Sequence, residues 1–298
     1  MERSSISQRI IALLIVLGSF GYSVNARVVT WKMGKLNIEG NQTYTRADLQ
    51  SLMDLRPKFQ IGGTKFSTTK LNSDLSSIGK FYKSQGFLLV KVKASQVHRD
   101  SSKHRVAVTI GINEGPRTTI RSVQIFSSRG VLTSESLDKK LNSEIGFPLI
   151  TQNYSLDCEL LRKNLTNQGY LAATVKPNIL IDSIEHVADI TFDVDEGPRV
   201  EVDHITINGL KRVRSKVITR ELKFSHGQVL TEGVVRRSEQ QLYKTNLFNY
   251  IRIEPAYGDT ADSIKVSELQ DGKYKIDVNV NETDFFRIQG GVGYGTSS

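Results

Sequence analysis

The chain has 298 residues, of which 38% are hydrophobic, and its 40 Lys and Arg against 31 Asp and Glu give a formal charge of +9. This length predicts about two domains of ~150 residues, and the internal sequence has no run of the ~18 apolar residues that a membrane-spanning helix needs. The single cysteine, Cys158, excludes an internal disulfide, so the fold depends on packed cores.

The first predicted element is a secretory signal peptide over residues 1–26. Arg3 and Arg9 precede the apolar stretch IIALLIVLGSFGYSV, and Val24 and Ala26 are the small residues of a cleavage site. We expect cleavage after Ala26 and export of the chain. An uncleaved membrane anchor is the alternative, and export argues against nucleic acid as a partner.

The positive charge belongs to the first third of the sequence. Residues 27–116 contain 15 Lys and Arg and 6 Asp and Glu, so their balance is 15 − 6 = +9. A basic domain attracts acidic partners or anionic surfaces. Anionic lipid headgroups are therefore a candidate ligand of this first domain, and a merely solvated basic surface is the alternative.

A repeated phrase divides the rest of the chain. NEGPR begins at Asn113 and DEGPR at Asp195, a period of 195 − 113 = 82 residues, and a weaker copy, NETD, begins at Asn281. Self-similarity at a fixed period predicts tandem modules. Because proline ends a strand and glycine permits a turn, the phrase indicates a module boundary and not an active site. The predicted domains are 27–116, 117–198 and 199–284.

Each unit is predicted to run strand, helix, helix, strand, strand. In the second unit TTIRSVQIF alternates with the period of a strand, TSESLDKKLN has the spacing of a helix, and TQNYSLDCELLRKNLTNQG places Leu156, Leu160 and Leu161 on one helical face. YLAATVKPNIL and HVADITFDVDEGP are the last two strands. The long helices of the three units are predicted to end at Gly86, Gly169 and Asn246. Glycine and asparagine are the residues that best tolerate the left-handed conformation there.

These units resemble POTRA domains: strand-helix-helix-strand-strand modules with a glycine before the second helix and GF or GY after it. With the closing stretch NVNETDFFRIQGGVGYGTSS, the chain resembles the periplasmic arm of an outer-membrane assembly factor of the BamA/TamA superfamily. The resemblance implies an α+β fold of three tandem β-α-α-β-β modules, each a three-stranded mixed sheet covered by two helices. Residues 285–298 alternate like the start of a first barrel strand, which needs ~10 residues per span. The chain is then either a fragment of a longer barrel protein or an arm that exists alone.

The sequence contains no motif of a catalytic or metal site. None of the five histidines forms an HExxH motif or pairs with Cys158 at metal spacing. GGVGYG, at 290–295, lacks the following helix that a nucleotide-binding loop opens. We therefore expect neither enzymatic activity nor a cofactor, and we expect Cys158 to be a core residue rather than a nucleophile.

The resemblance implies that the second strand of each unit is a bare sheet edge. Such an edge can pair with an extended client segment through backbone hydrogen bonds that do not depend on sequence. The edges correspond to 87–94, 170–177 and 247–254, and the candidate partner-binding residues are Phe87, Leu88, Leu89, Val90, Lys91, Val92, Tyr170, Leu171, Val175, Phe248, Tyr250 and Ile251. The alternative is that neighbouring units cap these edges.

The leading hypothesis is a periplasmic binding and scaffold arm for the assembly and insertion of β-barrel proteins into the bacterial outer membrane. Its expected partners are unfolded outer-membrane proteins and accessory assembly proteins. The alternative is a division- or secretion-type protein that carries POTRA modules on an uncleaved N-terminal anchor. An unrecognised periplasmic enzyme is disfavoured by the missing site.

Overall fold

The computed structural model of the protein describes residues 30–57, 64–133, 137, 139–257 and 269–283. The strands in this part of the chain are β1 (Lys32–Glu39), β2 (Lys91–Asp100), β3 (Arg105–Asn113), β4 (Thr119–Ser127), β5 (Thr174–Asp182), β6 (Val187–Asp195), β7 (Val200–Asn208), β8 (Phe248–Ala256) and β9 (Gly272–Glu282). The helices are α1 (Arg46–Ser51), α2 (Thr68–Ser84), α3 (Thr151–Asn167), α4 (Ser215–Glu221) and α5 (Glu232–Lys244). The predicted cleavage after Ala26 and the predicted barrel strand over 285–298 lie outside the described residues.

The strands form three separate three-stranded sheets with the orders β1-β3-β2, β4-β6-β5 and β7-β9-β8. In each sheet the last strand is central, parallel to the first and antiparallel to the second. The second and third strands follow one another as a hairpin, whereas the parallel pair needs a crossover, which the helical segment provides. This arrangement confirms the predicted α+β class with three repeats of one mixed sheet.

Side-chain capping marks the start of two helices. Thr45 and Asp48 form a reciprocal capping box at the start of α1, and the Thr231 side chain accepts the Val234 N–H at the start of α5. The long helices end as predicted, since Gly86, Gly169 and Asn246 have φ angles of 94°, 102° and 56°.

The second repeat differs from the prediction at its first helix. The described residues of the stretch TSESLDKKLN are not helical, and the chain from Lys139 to Ile150 contains bends, turns and one isolated bridge, at Pro148. The carboxylate of Asp157 on α3 accepts the backbone N–H groups of Asn142 and Ser143, at 2.6 and 2.8 Å. These donors are therefore satisfied without a helix.

The buried face of α3 is also displaced by one residue from the predicted leucine stripe. Leu161 and Leu165 are completely buried together with Asp157, whereas Leu156 is 48% exposed. The leucines pack against the core side of β6, which contributes Ala188, Ile190, Phe192 and Val194. The corresponding core of the third repeat contains Leu242 of α5 and Ile276, Val278 and Val280 of β9.

A buried polar side chain recurs at one position of the three long helices. Asp74 accepts the N–H groups of Asp54 and Leu55, both at 2.9 Å, just as Asp157 binds the chain opposite it. In the third repeat Ser238 accepts the N–H of Lys223 at 2.9 Å. In each repeat this side chain anchors the segment that enters the long helix, because a buried backbone donor is costly when unpaired.

The chain divides into two compact units, Met1–Gly79 with Lys91–Asn113 and Lys80–Val90 with Glu114–Ser298. The first unit contains the first sheet, and the second contains the other two sheets. Among the residues that the structure describes, no helix combines the length and apolarity needed to cross a bilayer.

Candidate binding site at the sheet edges

The second strand of each repeat lies at a sheet edge, because the third strand takes the central position. The opposite edge is partly covered by the chain that enters the long helix. This chain forms isolated bridges, Lys32 with Lys65, Thr119 with Pro148 and Glu201 with Val229. The edges formed by β2, β5 and β8 are thus the places where an additional strand has most room to pair.

The strands begin later than the sequence pattern suggested. Of the candidate residues, Lys91, Val92, Val175, Phe248, Tyr250 and Ile251 lie in β2, β5 and β8, whereas Phe87–Val90, Tyr170 and Leu171 precede them. Val90 donates its N–H to the Phe87 carbonyl in a turn, at 3.2 Å. Phe87 and Leu88 are apolar because they pack against neighbouring side chains, and not because they lie in a strand.

Two of the predicted binding residues serve the junctions between repeats. Leu88 packs against the core of the second repeat, and Leu171 packs against the core of the third. Both follow a helix-ending glycine by two residues, so each reaches from one repeat into the next. These side chains are half-buried and are occupied by contacts within the chain. Phe248 and Ile251, at 3% and 5% exposure, belong to the core of their own repeat.

The same hydrogen bonds join the repeats at both described junctions. Thr118 donates its N–H to the Gly86 carbonyl at 2.8 Å, and Arg117 donates through Nε to the Gln85 carbonyl at 2.9 Å. At the second junction Val200 donates its N–H to the Gly169 carbonyl at 3.0 Å, and Arg199 donates through Nε to the Gln168 carbonyl at 3.1 Å. The arginine of the repeated phrase therefore binds the end of the preceding long helix.

The second junction carries further polar contacts. Asp271 accepts the Arg199 N–H at 2.8 Å and a bond from the Arg129 guanidinium at 2.5 Å. On the helical side, Glu232 accepts the Thr166 hydroxyl at 2.6 Å. The bonds made by Arg129 and Thr166 join the second repeat to the third, and both repeats lie in the second compact unit.

The glutamate of the repeated phrase has a structural role that sequence reasoning missed. The Glu282 carboxylate accepts three consecutive backbone N–H groups, those of Lys211, Arg212 and Val213, at 2.8–3.1 Å. These hydrogen bonds, led by that from Lys211, stabilise the charged carboxylate and lower the pKa of Glu282. In the second repeat Glu196 receives the hydroxyls of Ser127 and Ser128 and the N–H of Arg129. The sequence did contain a signal for this role: all three copies of the repeated phrase keep the glutamate, whereas the third copy lacks the Gly-Pro pair.

The direction of the free backbone groups follows from the parallel ladders. Lys32 donates its N–H to the His104 carbonyl at 3.0 Å, so in β3 the even-numbered residues direct their backbone groups toward β1. In the antiparallel ladder between β2 and β3, Val92 is paired with Ile112 and Ala94 with Ile110, and both partners are even-numbered. In an antiparallel pair such residues exchange no ladder bonds, and their own N–H and C=O groups point outward, away from the sheet.

The same reasoning applies to the other two edges. Pro177 lies in β5 opposite Phe192, where its missing N–H would point outward. In β8 the outward residues are Ile251 and Ile253, opposite Val280 and Val278. The Ile251 N–H donates to the Tyr243 hydroxyl at 3.1 Å, and the Ile253 N–H donates to Glu239 Oε1 at 3.2 Å.

Burial raises the pKa of two groups on the long helices. Burial raises the pKa of Glu239, against the opposing effects of the Ile253 N–H and the charge of Arg252. Burial also raises the pKa of the Cys158 thiol, which is half-buried and packs against the second core. A raised pKa lowers the thiolate fraction, so this environment does not activate Cys158 as a nucleophile. Within the described parts of the chain, no cluster of His, Cys, Asp and Glu could hold a metal ion.

Comparison with known proteins identifies the repeats. The family model described as "POTRA: Surface antigen variable number repeat" matches residues 32–115, 118–197 and 200–283. The outer membrane protein assembly factor BamA of Nitratidesulfovibrio vulgaris is 22% identical over 271 residues, which are 88% of this chain and 32% of that protein. BamA of Buchnera aphidicola is 23% identical over 272 residues, 90% of this chain and 42% of that protein. The chain thus spans less than half the length of these curated relatives.

A solved structure shows the same fold. The crystal structure of POTRA domains 3–5 of Haemophilus influenzae BamA superposes with a TM-score of 0.51 at 23% identity. The match covers 85% of this chain and 97% of the other.

Proposed function

The chain belongs to the POTRA family, and from this premise we propose that it is the periplasmic, non-enzymatic arm of an outer-membrane β-barrel assembly machine. Three tandem repeats, and similarity to two BamA proteins over 88% and 90% of this chain, support this role. The proposal includes export with cleavage after Ala26, and domains at 27–116, 117–198 and 199–284.

The arm is proposed to hold unfolded outer-membrane proteins, or accessory assembly proteins, by strand addition. The observation that carries this proposal is that the second strand of each sheet is an edge whose outward backbone groups lie outside the ladder. Backbone hydrogen bonds recognise an extended shape and not a sequence, which suits a protein that receives many different clients. The charge of +9 in 27–116 would add attraction for acidic clients or for anionic lipid headgroups.

Amide hydrogen exchange of the arm, with and without an unfolded outer-membrane protein, tests this function. We expect slower exchange in peptides that cover β2, β5 or β8, and retention of the complex at high salt. The Debye length falls from ~10 Å at 0.1 M to ~3 Å at 1 M, so salt screens charge attraction but spares strand pairing. Binding without protection in any of the three strands, or binding that disappears at 1 M salt, would refute strand addition.

A further inference from the structure

The edge of the third repeat is already occupied by side chains of its own helix. Tyr243 accepts the Ile251 N–H at 3.1 Å, and its hydroxyl also lies 3.5 Å from the Ile251 carbonyl. One turn earlier on α5, Glu239 accepts the Ile253 N–H at 3.2 Å. The two side chains thus take the donors that an incoming strand would need at these two positions.

The other long helices lack this pair of caps. Glu239 and Tyr243 follow the buried Ser238 by one and five residues, and the residues at these offsets from Asp157 are Cys158 and Arg162. Cys158 packs against the second core, while Arg162 donates to Glu159 and Glu232. The residues at the same offsets from Asp74 are Leu75 and Gly79, neither of which has a polar side-chain atom.

Prolines also remove a donor from two of the three edges. Ala94 of β2, Pro177 of β5 and Ile253 of β8 occupy equivalent positions. Each lies opposite the residue that stands four positions before the glutamate of the repeated phrase. Proline is one of the devices that protect edge strands from pairing. β8 contains Pro255, whereas β2, over Lys91–Asp100, contains no proline. β2 therefore keeps two consecutive outward donors, those of Val92 and Ala94.

The open edge is basic. Lys91 and Lys93 are exposed and lie on the face of β2 opposite to Val92 and Ala94. Alternate residues of a strand are about 7 Å apart on one face, so an added strand with carboxylates at alternate positions can pair with both lysines. Edge lysines disfavour pairing with neutral or basic strands, which makes them selective as well as attractive.

We infer that Glu239 and Tyr243 close the third repeat to strand addition, and that β2 is the edge at which the arm receives an extended, acidic segment. The inference rests on the proposed function and specifies where, and with which client chemistry, that function is carried out.

The test uses the whole chain and a labelled peptide of alternating valine and glutamate, about ten residues long to match a strand. Affinity is measured by fluorescence anisotropy, and amide exchange is followed by NMR. In the wild type we expect the peptide to protect the N–H groups of Val92 and Ala94 but to leave those of Ile251 and Ile253 unchanged. A valine–lysine peptide of equal length should bind about tenfold more weakly, equivalent to 1.4 kcal/mol.

Two sets of variants locate the site. Ala94→Pro copies the proline that the second repeat already carries at this register, so it removes the outward donor without removing a ladder bond, and it should weaken binding about tenfold or more. Ala94→Val, which keeps the donor, is the matched control. The double variant Glu239→Met, Tyr243→Phe removes both caps at similar side-chain size and should bring peptide protection to Ile251 and Ile253. Glu239→Gln, which keeps an acceptor, should not.

The outcomes separate this inference from the function beneath it. If neither peptide binds the wild type, strand addition itself fails, and the inference fails with it. If the acidic peptide binds but Ala94→Pro has no effect, or if the wild type protects Ile251 and Ile253, the choice of edge is wrong while strand addition stands. If Ala94→Pro does not fold, the protection pattern of the wild type decides alone.

Discussion

Removal of the Asp157 carboxylate should destabilise the second repeat more than any exposed substitution does. Asp157 is completely buried and accepts the N–H groups of Asn142 and Ser143 at 2.6 and 2.8 Å, as well as the Asn142 side-chain amide at 2.8 Å. Asp157→Ala leaves two backbone donors without their partner. At about 1–3 kcal/mol for each buried unpaired group, the expected loss is about 2–6 kcal/mol.

The internal repeats provide a graded series for this prediction. Asp157→Asn keeps one acceptor oxygen and should lose about half as much as Asp157→Ala. In the third repeat Ser238 accepts one backbone donor, so Ser238→Ala should cost only about 1–2 kcal/mol.

Native-state hydrogen exchange is the suitable assay, because it reports the opening free energy of each repeat separately, whereas a three-repeat chain need not unfold in one step. Amides of β6 should report Asp157→Ala, and amides of β9 should report Ser238→Ala. An equal loss for Asp157→Ala and Asp157→Asn, or no loss for either, would show that the carboxylate does not anchor this segment.

Two further predictions concern a junction and acid stability. Gly169→Ala should destabilise the second junction by about 1–3 kcal/mol, because φ is 102° and a Cβ would lie 2.5 Å from Val229 Cγ1. Gly79→Ala is the control: a Cβ there meets nothing within 4 Å, so this variant should stabilise α2 by about 0.5–1 kcal/mol. Thermal unfolding measures both effects. The hydrogen bond from Arg121, aided by that from Ser122, lowers the pKa of Asp189 from 3.8 to about 2. Its contribution to stability is therefore present above pH 3.8 and is lost as the pH falls toward about 2; NMR titration should find the shifted midpoint, and Arg121→Gln should return it toward 3.8.

The sequence predicted the features that depend on local pattern. The period of the repeated phrase, the alternation of the strands and the left-handed helix ends at Gly86, Gly169 and Asn246 all reflect short-range rules, and the structure confirms them. The start of β2 was misplaced because Phe87 and Leu88 are apolar for a tertiary reason. Phe87 packs edge-on against Tyr82 and under the Arg117 guanidinium, and Leu88 packs against the second core.

The inward position of Asp157 could not be predicted from helical periodicity. A hydrophobic stripe drawn through Leu156 places that leucine inside, yet Leu156 is 48% exposed and Asp157 is buried. The helix rotates this way because the carboxylate is needed to satisfy backbone donors of a segment that is distant in sequence. Such pairings, like those of Glu239 and Tyr243 with β8, depend on register between elements, which a single sequence does not display.

The differences between the repeats indicate function more strongly than their similarities do. The glutamate and the arginine that recur in the repeated phrase bind groups of this same chain, at loops and junctions. A residue that each repeat needs in order to fold cannot distinguish one repeat from another. The positions beside the outer edges do differ, because one long helix offers two acceptors to its edge strand, β5 and β8 each contain a proline, and the edge formed by β2 has neither feature. If the arm receives clients at a particular place, these variable positions must specify it, since the invariant ones are the same in every repeat.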